Sequence, residues 1–148
     1  MLKAILKTGL IAGTMDGAAA VIILAKMNFT GVFQYVASGA FGKAAFEGGA
    51  AMTIAGVTFH YFNAFAFTIF YFLIFPFISI LRKNVLLSAF AYGLFVWSVM
   101  NLIVVPLSNI TMGPFNWSIA LLNMAILVVC IGLPISYFAN KYHTSKNS

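Results

Sequence analysis

The chain has 148 residues, of which 63% are hydrophobic and 7% charged, with eight Lys/Arg, two acids and one cysteine. A water-soluble domain carries roughly 25% charged residues. The shortfall excludes a soluble enzyme, a disordered tail and a disulfide-stapled secreted domain, and leaves an integral membrane protein.

About 20 apolar helical residues cross the hydrocarbon core of a bilayer, so uncharged stretches mark the spans. The first lies between Lys7 and Lys26 and is interrupted only by Asp16. Its start resembles a secretory signal, but Asp16 and apolar residues as far as Ala25 argue for a retained helix, because a cleavable signal has an apolar region of about 7–15 residues. Between Glu47 and Arg82 there are 34 uncharged residues, and residues 84–140 form 57 more. The latter is too long for one span, and its Pro106, Gly113, Pro114 and Asn116 mark a turn. The expectation is an all-α, polytopic single domain over residues 1–148, with four transmembrane helices near 4–27, 51–81, 85–105 and 117–140. A β-barrel would need alternating polarity, whereas residues 69–75 and 102–105 are apolar at consecutive positions.

Residues 28–50 are too apolar for a free loop, with Phe29, Phe33, Tyr35, Phe41 and Phe46 among them. A short interfacial helix or a re-entrant segment is expected between the first two spans. Lys3, Lys7, Arg82, Lys83, Lys141 and Lys146 fall on one side if the helices alternate, and only Lys26 and Lys43 on the other. The positive-inside rule then puts both termini in the cytoplasm. Trp117, Tyr137 and Tyr142 fit an aromatic belt; Trp97, in mid-helix, is expected to pack inside the bundle or against acyl chains. Cys130 is alone, so no intrachain disulfide forms.

Several segments taken together carry a resemblance. They are Gly9-Leu-Ile-Ala-Gly13-Thr-Met-Asp16-Gly17, Ser38-Gly-Ala-Phe-Gly-Lys43 with Glu47-Gly-Gly49, Phe59-His60-Tyr-Phe-Asn63, and Met100-Asn101 through Pro106. The pattern resembles a family of small four-helix bacterial inner-membrane proteins without an assigned activity, similar in layout to the YagU-like group. The resemblance implies membrane class and bacterial origin, and implies no mechanism.

Polar residues inside the spans are the candidates for chemistry. Gly9, Gly13 and Gly17, four apart, make a smooth helix-packing face, since small residues let backbones approach in lipid. Asp16 sits beside Gly13 and Gly17 on the same face and is expected to point into the bundle. Thr53, Gly56, His60 and Asn63 share a face of the second helix, Gly93, Trp97 and Asn101 share one on the third, and Asn123 lies on the fourth. At ~1.5 Å of rise per residue, His60, Asn101 and Asn123 fall roughly 7–9 Å outside the midplane, Asn63 deeper and Asp16 near the centre. A proton- or solute-binding layer of Asp16, His60, Asn63, Asn101 and Asn123 is the resulting expectation. An intramembrane Asp costs at least ~2.5–3.5 kcal/mol, which makes it a functional candidate by default; the competing explanation is a structural hydrogen-bond cluster. Lys43 and Glu47, four apart, would pair on a helix and are outer-surface candidates.

No catalytic constellation, metal site or cofactor emerges. A metal centre wants three or four His, Cys or carboxylate ligands, and any intramembrane serine could complete a Ser–His–Asp drawing. The basic balance suits a membrane surface rather than nucleic acid. The leading expectation is binding or passage of a proton, ion or small polar solute. The alternative is a non-catalytic accessory or assembly subunit, docking its glycine face on a larger complex or on its own copy. A membrane-embedded lipid or quinone enzyme is third, and an elongated apolar groove reaching His60 would favour it.

Overall fold

A computed structural model gives the structure of residues 1–146; Asn147 and Ser148, the end of the expected domain, lie outside the described residues. Among these residues every regular element is helical. Four helices are long and apolar enough to cross a membrane: α1 (Leu2–Leu24), α3 (Gly49–Phe77), α5 (Val85–Leu107) and α6 (Trp117–Lys146). Two shorter ones intervene, α2 (Phe29–Phe41) and α4 (Ser79–Lys83). Large apolar side chains such as Ile54, Phe62, Leu86 and Leu102 remain exposed on the long helices, the surface that acyl chains cover. The chain is a multi-pass membrane protein of all-α fold.

The helix ends follow local chemistry. α1 stops at Leu24, before the left-handed pair Lys26 (φ 49°) and Met27 (φ 74°) that turns the chain into α2. The second span ends at Phe77, short of the expected residue 81, because Pro76 lies in its last turn and Ile78 is extended. Arg82 and Lys83 sit in the separate α4. α5 is started by Asn84, whose side chain accepts from the backbone N–H groups of Leu86 and Leu87 at 2.9 and 3.1 Å, satisfying donors that a helix start leaves orphaned. α6 runs to Lys146, past the expected residue 140, with His143 and Lys146 in its last turn, where positive charge complements the helix dipole. Wide i→i+5 turns occupy Met100–Val104 and Val128–Gly132. Pro106 and Pro134 follow them, and each removes an N–H from the regular ladder.

α1 packs between α3 and α6, and α5 packs on α6. α3 and α5 meet at Tyr92, whose hydroxyl donates to the Phe67 carbonyl at 2.6 Å and whose ring lies 4.5 Å from that of Tyr71, and at the stacked rings of Phe70 and Phe95, 5.7 Å apart. Glycines set the close approaches. A Cβ on Gly9 would meet the Phe65 ring, and one on Gly132 would meet the Ala89 carbonyl of α5. The core is centred in the half of the bundle nearest the termini, where Tyr71, Phe72, Phe75 and Ile135 are buried. Trp97 packs against this core, as expected for one of its two alternatives.

The segment between the first two spans contains the short helix α2, whose 13 residues are too few to cross a bilayer. The Asn28 side chain caps it at Gly31 N, 2.9 Å away. Its far end is tied to the α5–α6 connection, where Asn109 donates its backbone N–H to the Gly39 carbonyl at 3.0 Å and its side-chain amide to the Ala40 carbonyl at 3.1 Å. These are carbonyls that a helix end leaves without partners. Against α3, the Phe33 carbonyl sits where a Cβ on Gly56 would be.

Candidate site: a lateral groove at His60

The glycine stripe of α1 is covered within the chain. Gly9 faces Phe65, a Cβ on Gly13 would lie 2.9 Å from the Tyr61 ring and 3.1 Å from Ala64, and one on Gly17 would lie 3.1 Å from His60 Nε2. His60 therefore sits against the α1 backbone, and its Nε2–H donates to the Gly13 carbonyl at 2.7 Å. A carbonyl only accepts, so this bond fixes the proton on Nε2 and leaves Nδ1 as the acceptor of the neutral ring. The ring is held edge-on by Phe33 at 5.7 Å and Tyr61 at 5.6 Å. Nδ1 has no hydrogen-bond partner among the described residues and is not sealed from its surroundings.

A cavity of about 380 Å³ opens beside this histidine, between α1, α3 and the start of α2. Its walls are mainly apolar, from Ala18, Val21, Ile22, Phe29, Phe33 and Val57. Its polar lining is His60 together with the Thr14 and Tyr61 hydroxyls, joined to each other at 2.7 Å on the exposed part of the groove. Ala18, Ile22 and Phe29 are exposed, so the groove opens sideways, toward the surface that faces acyl chains.

Asp16 lies on the other flank of α1, in line with the buried Ile5, Gly9 and Ala12 at ~100° per residue. It is half-buried and has no hydrogen-bond partner among the described residues, but lies within electrostatic reach of His60 and Cys130. His60 lines the groove and Asp16 does not.

The other expected site residues are not joined to this pair. The Asn101 amide donates to the Trp97 carbonyl of its own helix at 2.9 Å. Asn63 and Asn123 are half-buried on α3 and α6 and make no hydrogen bond among the described residues. No bond links any two of Asp16, His60, Asn63, Asn101 and Asn123. Lys43 lies in a 3₁₀ turn, Gly42–Phe46, with Glu47 just after it. At three residues per turn, positions four apart are rotated by roughly 120°, and both side chains are exposed without forming an ion pair among the described residues. No group of three or more potential metal ligands occurs among the described residues.

A second polar cluster was not anticipated from sequence. Tyr71, Ser88, Tyr92 and Ser136 are buried together in the core. The Ser88 hydroxyl donates to the Leu81 carbonyl at 3.1 Å, whereas the Tyr71 and Ser136 hydroxyls lie close to each other without a well-formed bond. Comparison with protein-family models, curated proteins and solved structures gave no match to this chain.

Proposed function

We propose that this protein binds the polar end of a membrane-resident amphipathic molecule, of lipid or quinone type, in the groove at His60. The observation that carries this reading is the apolar cavity, open to the acyl-chain surface, that ends on a histidine with one unpartnered ring nitrogen. Nδ1 accepts a hydrogen bond from a hydroxyl of the bound molecule. The Thr14–Tyr61 pair offers a second polar contact at the same level.

Both termini are proposed to face the cytoplasm, on the asymmetry of the lysines and arginines, and a bacterial inner membrane is proposed on the resemblance alone. A second reading, passage of a proton or small polar solute, draws on Asp16, a carboxylate within a span that has no bonded partner. An accessory role through the glycine face has less support, because α3 occupies that face.

The test is co-purification. Wild-type protein extracted in mild detergent should carry a specific amphipathic molecule, detected by native mass spectrometry. Ala18→Phe, which fills the groove from its exposed rim, should abolish that adduct without unfolding the bundle. Equal retention of the molecule by Ala18→Phe would overturn the proposal.

A further inference from the structure

A separate cavity of about 390 Å³ lies at the opposite end of the bundle, between the start of α1 and the end of α6. Lys7 from α1 and Lys141 and Lys146 from α6 line it. The Lys7 ammonium is held over the Phe138 ring, 5.4 Å from its centroid, a cation–π contact that fixes its direction. The chain has only two acids, Asp16 and Glu47. Asp16 lies nine residues along α1 from Lys7, about 13 Å at helical rise, and Glu47 lies beyond α2, next to the start of α3. The three lysines therefore line one concave space without a neighbouring acidic side chain among the described residues. The same cavity has an apolar side, from Ala4 and the Phe138 and Tyr142 rings, and one exposed hydroxyl, Ser145.

We infer that this cavity is a phosphate-binding site whose ligand is the headgroup of an anionic lipid. The charge calls for an anion of more than one negative charge, and lysines bind phosphate as point charges. The position supplies the rest: the cavity lies at the ends of two candidate spans, α1 and α6, with Ala4, Phe138 and Tyr142 on its apolar side. Basic pockets between transmembrane helices take such headgroups.

The experiment uses the full chain in nanodiscs of phosphatidylcholine alone or with cardiolipin, and separately in detergent with inorganic diphosphate. Retention of lipid is read by native mass spectrometry, and protection by the thermal midpoint. Wild type should enrich cardiolipin over phosphatidylcholine. The triple variant Lys7→Gln, Lys141→Gln, Lys146→Gln should lose that preference by on the order of a hundredfold, about fivefold per lysine. The double variant Lys26→Gln, Lys43→Gln, away from the cavity, should keep it. Protection by diphosphate without enrichment of lipid would keep the phosphate site but assign it to a soluble ligand. Equal enrichment by wild type and the triple variant, with both folded, would overturn the inference.

Discussion

His60 on α3 and Gly13 on α1 are joined by a 2.7 Å hydrogen bond from the imidazole Nε2–H to the backbone carbonyl. Only a glycine-lined helix lets an imidazole approach so closely, since a Cβ on neighbouring Gly17 would already lie 3.1 Å from Nε2. The glycine stripe thus packs two helices and also seats His60 at the end of a lipid-facing groove. His60→Ala should cost about 0.5–1.5 kcal/mol of stability for the lost bond, read as a lower thermal midpoint, and should lose the bound molecule.

Asp16→Asn keeps shape while removing charge. Because the carboxylate has no hydrogen-bond partner among the described residues, the bundle should be at least as stable, given the ~2.5–3.5 kcal/mol cost of an intramembrane Asp. Thermal unfolding in detergent checks this. A loss of more than about 1 kcal/mol would show that Asp16 holds the fold together through a bond absent here.

Glycine substitutions should divide by what faces them. Gly56→Ala and Gly132→Ala each drive a methyl into a backbone carbonyl, of Phe33 and Ala89, and should destabilise by about 1–3 kcal/mol or more. Gly113→Ala, with open space around it, should be near neutral. Equal midpoints for all three variants would contradict the packing described.

Two tyrosines 4.5 Å apart should behave differently. Tyr92→Phe removes a 2.6 Å bond to the Phe67 carbonyl and should cost about 0.5–1.5 kcal/mol. Tyr71→Phe removes a buried hydroxyl without a well-formed bond and should be neutral or stabilising, since a desolvated unpaired group is itself a cost.

The four spans were legible because charge marks them, and the short helix of residues 28–50 because that stretch is too apolar to be loose. Span ends were read less well where a charge outweighed a proline: Arg82 suggested an end near residue 81, and Pro76 ends the helix earlier. The polar layer was inferred from depth, which rise per residue supplies, but convergence also needs direction around each helix. Asn101 folds back on Trp97, a local bond that spacing does not reveal. The Tyr71–Ser136 cluster escaped notice because single hydroxyls on separate helices carry no pattern. The groove was foreseen only as a discriminating possibility. It depends on α2 bringing Phe29 and Phe33 over the gap between α1 and α3, a tertiary placement without a local sequence mark.

The central claim is that the groove at His60 holds one kind of amphipathic molecule. A photo-crosslinking side chain placed at Val57, which lines the groove, tests it in intact membranes, with adducts identified by mass spectrometry. The account predicts one dominant adduct, enriched over its share of the membrane and lost on His60→Ala. Adducts that mirror bulk lipid composition and persist unchanged in His60→Ala would contradict it.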